Sequence, residues 1–200
     1  MKFIEYKEHR KQGTFNFPIA FYHQTPHSPR YHIQLHWHTH YELIRIISGK
    51  MNLTLNNESH MCKADDVIFV TDGVLHGGTP YDCIYESIVF DLQILMKDNH
   101  ACAKTIYDIM KHNIMIHTFI SSKSPLVLPI VKNLSHALSN KRVGYEFMTQ
   151  GYLYQLIGII LQEHLYEKTP EQSVESQHLH SIKDVLAYIS ENYYNNISLD

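Results

Sequence analysis

The chain has 200 residues, enough for one buried core with a small appendage and too few for a large multidomain enzyme. Its 17 Lys and Arg against 20 Asp and Glu are mixed without a block of either sign, so the net charge of -3 gives no basic footprint for nucleic acid. Three widely spaced cysteines, a charged N-terminus and the lack of any apolar run long enough to span a bilayer exclude a disulfide scaffold, a leader and a membrane span; the expected setting is the cytoplasm.

From Phe3 to about Phe90 the text is β-rich, with turn chemistry between short apolar runs. Strands are expected at Phe15 to Phe21, His32 to His38, Tyr41 to Ile47, Met51 to Asn56, Val67 to Val70 and Tyr85 to Phe90. Turns are expected at Ser48-Gly49-Lys50, Asn56-Asn57 and Thr71-Asp72-Gly73. Many short strands with such turns predict a closed barrel or a sandwich.

One strand stands out. In HWHTHYELIRII, residues His36, His38, His40, Glu42, Ile44 and Ile46 share one parity and Trp37, Tyr41, Leu43 and Ile47 the other. A polar cluster therefore gives way to an apolar one on a single face, as the mouth and floor of a barrel would require. Trp37 falls on the opposite side as a core or interface anchor, and Arg45 is a minor site candidate that needs an anion if buried.

After Phe90 the period becomes helical. Asp91 to Met110 is loosely helical, Ile114 to Ile120 is a strand or an extended arm, Pro129 opens a helix carrying Leu134 and Leu138, and Tyr145 to Tyr166 is the longest helix. The centre of that helix, GYLYQLIGII, is apolar almost all round, with Gly151 and Gly158 on similar faces, so coverage from more than one side is expected. Glu167 to His180 reads as a polar connection. Ser181 and Asp184 then start a further amphipathic helix, and Ser198 looks like the cap of another helix beyond the last residue.

The chemistry concentrates in His36, His38, Glu42 and, on a neighbouring strand, His76 in DGVLHGG. Imidazole nitrogens with a carboxylate are suitable donors for a divalent metal such as zinc or nickel. The same residues could equally line a metal-free polar pocket or lie on a solvated strand. His40 has the parity to join them or to sit at the solvent edge. No phosphate-binding loop, nucleophile elbow or His-Glu-x-x-His helix is present, so a hydrolase with a serine or cysteine nucleophile has no sequence signal to stand on.

The spacing His36-x-His38, three residues, Glu42, six residues, Gly49 resembles the first cupin motif. Asp65, five residues, Thr71-x-Gly73, two residues, His76 resembles the second. With VFDLQIL at Val89 to Leu95 and IKDVLAYISENYYNNISLD at the end, nearly the whole chain resembles the N-terminal sensor part of AraC-type transcriptional regulators. The departures are Arg30, Asp65 and Thr71, where the motifs usually carry glycine, glycine and proline, and Pro80, where asparagine is frequent.

The resemblance implies a mainly β protein with C-terminal helices, in which a cupin-like β-barrel (double-stranded β-helix, jelly roll) is followed by a helical dimerisation segment. The implied parts are a ligand-binding barrel over 1-95, a mainly helical dimerisation region over 96-168, a linker over 169-180 and the start of a truncated helix-turn-helix domain over 181-200. The implied function is effector sensing by a protein that is not an enzyme: a small molecule, commonly a sugar, held by His36, His38, His40, Glu42 and His76 acts through a homodimer built on the 126-166 helices. DNA would be contacted only through the part that is missing. The competing reading is a small metal-dependent cupin enzyme, an isomerase or oxygenase, with His36, His38, Glu42 and His76 as metal ligands. A purely structural barrel would have no small-molecule pocket.

Overall fold

The computed structural model describes residues 3–96 and 99–169. The chain divides into two compact units, Met1–Glu167 and Lys168–Asp200, and only Lys168 and Thr169 of the second are described. Apart from Thr169, the expected linker over 169-180 and the helix-turn-helix start over 181-200 lie outside the described residues.

In chain order the elements are β1 (Ile19–Gln24), β2 (Ile33–His36), β3 (Tyr41–Leu55), β4 (Glu58–Lys63), β5 (Val67–Val70), β6 (His76–Phe90), α1 (His100–Met110), β7 (Ile114–Ile116), α2 (Val127–Asn140), α3 (Tyr145–Gln162) and β8 (Tyr166–Lys168). Two single-turn 3₁₀ segments, Phe3–Tyr6 and Leu92–Leu95, complete them.

The spine is the antiparallel pair β3–β6, in register from Tyr41↔Phe90 to Leu55↔His76. Ser48-Gly49-Lys50, expected as a turn, is a bulge inside one continuous strand. Gly49 has φ 72°, and a Cβ there would come within 2.2 Å of the Asp82 carbonyl oxygen, so the two strands bend past each other only at glycine. Asn56-Asn57 is a turn as expected, with both residues at positive φ, the backbone that a two-residue hairpin loop demands. It leads into β4, a strand the sequence reading passed over.

Shorter strands attach to the spine's outer edges, β1 and β2 along β6, β4 and β5 along β3. The result is an open six-stranded sheet. The closed cupin-like barrel or jelly roll expected from the strand count and the motif spacing is therefore corrected: no pairing joins β1 or β2 to β4 or β5 among the described residues. Part of the physical reason is that the outer edge of β5 is already used. Phe69 N–H donates to the Thr118 carbonyl at 2.7 Å and Ile120 N–H to that of Val67 at 3.2 Å, so a chain segment caps the edge that another strand would need.

The two faces of the sheet pack differently. Tyr41, Leu43, Phe69, Ile88 and Phe90 point toward the helices and join Leu134, Leu138, Leu153, Leu156 and Ile160 in the larger core. Ile44, Ile46, Met51, Leu53, Cys62, Ile68, Val70 and Tyr85 form a second core on the opposite face. The alternation read from the sequence is thus correct even though the barrel is not. It places Glu42 on the second face, at the edge of that core.

Asn99 caps α1 by accepting from Cys102 N–H at 3.3 Å, and Pro129 sits in the first turn of α2, where its missing N–H costs nothing. Helix α3 buries Leu153, Leu156, Ile157 and Ile160, yet Phe147 and Met148 remain exposed, and a side chain at Gly151 or Gly158 would meet no atom within 4 Å. Among the described residues, no helix is long and apolar enough to cross a membrane.

Candidate metal centre

Three backbone segments deliver the four residues. His36 ends β2 and is the register partner of His76, the first residue of β6; His38 lies in the link to β3; Glu42 is the second residue of β3. Trp37, between the two histidines, is buried on the other side as expected. Its N–H donates to the Tyr6 carbonyl at 2.9 Å and its carbonyl accepts from Glu8 N–H at 2.8 Å, so it anchors the N-terminal segment beside the site. His38, Glu42 and His76 are buried and His36 is half-buried.

The imidazoles are oriented by the main chain. His36 Nδ1 lies 2.7 Å from the Gln34 carbonyl, His38 Nδ1 2.9 Å from that of His40, and His76 Nδ1 2.8 Å from that of Val74. A carbonyl only accepts, so each Nδ1 carries the proton and each Nε2 of a neutral ring presents a lone pair. Two of those lone pairs face one atom: Glu42 Oε2 is 3.1 Å from His38 Nε2 and 3.0 Å from His76 Nε2. An acceptor facing acceptors is repulsive unless a cation lies between them. A proton satisfies one contact, whereas a divalent ion satisfies all of them.

Where no ion is present, protons on the imidazoles make these contacts instead. Burial works to raise the Glu42 carboxyl, but hydrogen bonds from His38 and His76 outweigh it and hold the group well below the usual carboxylate range. For His38, burial alone would lower the imidazole, and the Glu42 hydrogen bond and charge carry it above its ordinary value instead. His36 is lowered by burial and then by the neighbouring His76. The other oxygen of Glu42, Oε1, accepts a hydrogen bond from the Ser87 hydroxyl.

One ligand atom from each of His36, His38, Glu42 and His76 lies within 4.8 Å of the other three. Metal–nitrogen and metal–oxygen bonds of about 2.0–2.2 Å set ligand atoms roughly 3–4 Å apart, so this cluster is geometrically compatible with a divalent metal ion. His40 is outside the four. Its ring centroid is 6.0 Å from that of His38, burial followed by the His38 charge lowers its imidazole, and it supplies the carbonyl that orients His38.

Beside the cluster is a cavity of about 720 Å³ whose wall includes His36, His38, Glu42, Tyr22, Tyr85 and Ser87. Arg10 and Arg30 line it as well. Ser87, Tyr22 and the N-terminal residues were not singled out in the sequence. Ser87 is the one whose signal was readable, as a small hydroxyl at the inward parity of an otherwise apolar strand. Arg45 is not at this site: it faces the helices, donating to Glu86 at 3.0 Å.

A buried site of three nitrogen donors and one oxygen donor also overturns the expectation that the protein is not an enzyme. That expectation followed from the resemblance to a sensor domain, and the missing serine and cysteine nucleophile motifs do not bear on a metal-centred reaction.

Fold and site together define a β domain with a cavity beside a metal-type donor set. The chain belongs to the family described as AraC-like ligand binding domain, which matches residues 18–157. Among solved structures, apo ToxT K231A from Vibrio cholerae strain SCE256 is similar in fold, with TM-score 0.52 at 10% identity over 95% of this chain and 69% of that one. An RmlC-like cupin from Shewanella frigidimarina NCIMB 400 gives TM-score 0.31 at 16% identity over 36% of this chain and 65% of that one. KdgF from Halomonas sp. gives TM-score 0.31 at 12% identity over 42% and 73%. No curated protein matches the chain.

Proposed function

We propose that this domain is a metal-dependent enzyme of the isomerase or oxygenase type, with His36, His38, Glu42 and His76 holding a divalent metal beside the cavity. The carrying observation is that two imidazole Nε2 atoms, each in the tautomer that exposes a lone pair, converge on the same buried carboxylate oxygen. A divalent ion there supplies Lewis acidity toward an oxygen atom of a small molecule. The chain's own contributions are distinct from that. Three main-chain carbonyls fix the imidazole tautomers, Ser87 holds the second Glu42 oxygen, and burial of His38, Glu42 and His76 excludes water from one side. His36, half-buried and lining the cavity, faces the bound molecule.

A second reading uses the same site for sensing. Membership of a ligand-binding-domain family supports it, as does the exposed apolar face of α3, where Phe147, Met148 and the open Gly151 and Gly158 suit a homodimer through the 126-166 helices. In that reading the effector in the cavity biases a helix-turn-helix domain that begins at 181 and contacts DNA.

The test is mass spectrometry of metal-reconstituted protein incubated with pooled small hydroxy and oxo compounds. A metal-dependent product that disappears in His76→Ala establishes the enzyme. One equivalent of a bound, chemically unaltered compound supports the sensor. Neither product nor bound compound overturns both readings.

A further inference from the structure

We infer that Glu8 is the acid–base residue of this site, the carboxylate that takes a proton from, and returns it to, a molecule held in the cavity beside His36, His38, Glu42 and His76. This rests on the metal-dependent reading above and names the group that moves the proton in it.

Strand geometry places Glu8 there. Trp37 N–H donates to the Tyr6 carbonyl at 2.9 Å and Glu8 N–H to the Trp37 carbonyl at 2.8 Å, which makes Lys7 and Trp37 partners in a parallel β-bridge. Such partners share a face, and Lys7 Nζ accordingly lies 5.8 Å from the Trp37 ring centroid. Alternation turns the next residue of each segment, Glu8 and His38, to the opposite face, where both border the cavity. Glu8 therefore sits beside a member of the cluster on the neighbouring segment. After burial and the Glu42 contacts, its charge is the next influence on the His38 imidazole, and it raises it.

The carboxylate is also held in place. The buried Gln12 donates from Nε2 to Glu8 Oε2 at 3.0 Å, and its own Oε1 accepts the Tyr22 hydroxyl at 2.7 Å. The amide is thereby fixed with its donor end toward Glu8. Glu8 Oε1 has no hydrogen-bond partner among the described residues. Glu42 cannot take the role, because His38 and His76 engage one of its oxygens and Ser87 the other. Glu8 is not among the four residues whose ligand atoms lie within 4.8 Å of one another, so it stands off the ion position. Glu5, His9 and His32 border the cavity too, but they are exposed to solvent, whereas Glu8 is half-buried and anchored.

The step assigned to Glu8 balances without a co-reactant. The C–H bond beside a carbonyl breaks, its proton forms an O–H bond at Glu8 Oε1, and the electron pair passes into the carbonyl group, whose oxygen carries the charge. The reverse transfer restores Glu8, and nothing is oxidised or reduced.

The experiment uses the full chain loaded with zinc, with metal content read by elemental analysis, in deuterated water. Dihydroxyacetone, pyruvate and lactaldehyde are the probes, and mass spectrometry reads deuterium entering their carbon positions. Wild type should exchange at least one probe, and Glu8→Gln should slow that exchange by at least about 100-fold at unchanged zinc content. Glu8→Asp keeps a shorter carboxylate and should retain an intermediate rate, a reading that does not depend on Glu8→Gln folding. Glu5→Gln, the other N-terminal carboxylate on the wall, should leave the rate unchanged. Placement is read without any probe by loading cobalt, whose unpaired electrons should broaden the carboxyl carbon signal assigned to Glu8 by its loss in Glu8→Gln.

A zinc-loaded Glu8→Gln that exchanges as fast as wild type, or a Glu8 signal untouched by cobalt, overturns the proposal and leaves the metal site standing. A zinc-loaded wild type that exchanges none of the probes also removes the acid–base role. If the chain holds neither metal, the metal reading falls and the proposal with it, an outcome that elemental analysis alone identifies.

Discussion

The sheet carries two buried carboxylates on opposite faces, and they are neutralised in different ways. On the helix-facing side, Glu86 meets the permanent cation of Arg45 at 3.0 Å, with His23 at 3.4 Å. On the cavity side, Glu42 meets only imidazoles and a hydroxyl. The Glu86 pair is already balanced in charge, because guanidinium stays charged at any pH that the fold survives, although the buried Arg45 Nε has no hydrogen-bond partner among the described residues. The Glu42 cluster has no permanent cation, and its donor set is compatible with a divalent ion at its centre. Two similar acids thus separate structure from function, and the separation can be tested by breaking each in turn.

The largest effect should come from Glu42→Gln. Metal affinity measured by chelator competition should fall by more than the roughly 10–100-fold typical of losing a supporting hydrogen bond, whereas Glu86→Gln should leave it within about twofold. Arg45→Met should do the reverse. It leaves Glu86 buried without its cation, so chemical denaturation should show a loss toward the lower end of about 3–5 kcal/mol, with metal affinity intact. A smaller effect is expected from Ser87→Ala, which frees one Glu42 oxygen: metal affinity should fall about 10-fold with little change in unfolding midpoint.

The smallest signal is a rate. Burial pushes the Cys62 thiol up to about 12 and the Cys83 thiol up to about 11, both inside the cavity-side core, while Cys102 on α1 is only half-buried. A thiol reagent at neutral pH should therefore label Cys102 first and reach the other two only on unfolding. Early labelling of Cys62 would show that the second core is loosely packed.

Much of this was legible beforehand, for a physical reason. Strand parity alone put His36, His38, Glu42, Ile44 and Ile46 on one face, because side chains alternate whatever the sheet does at its edges. Edge closure is decided elsewhere. The segment Thr118 to Ile120, which occupies the free edge of β5, has no local signal that it will do so, and the expected barrel failed at that point. The bulge at Gly49 read as a turn because glycine serves both. Arg10 was invisible as a cavity residue, since its place there depends on an N-terminal segment anchored through the backbone of Trp37.

The account rests on a cation shared by Glu42 Oε2 and three imidazole Nε2 atoms. X-ray absorption on zinc-reconstituted full chain tests that most directly. One equivalent of zinc with three imidazole nitrogens and a carboxylate oxygen in its shell, losing one imidazole in His76→Ala, is the predicted result. Failure to retain stoichiometric zinc, or a shell without imidazole scattering, would contradict it.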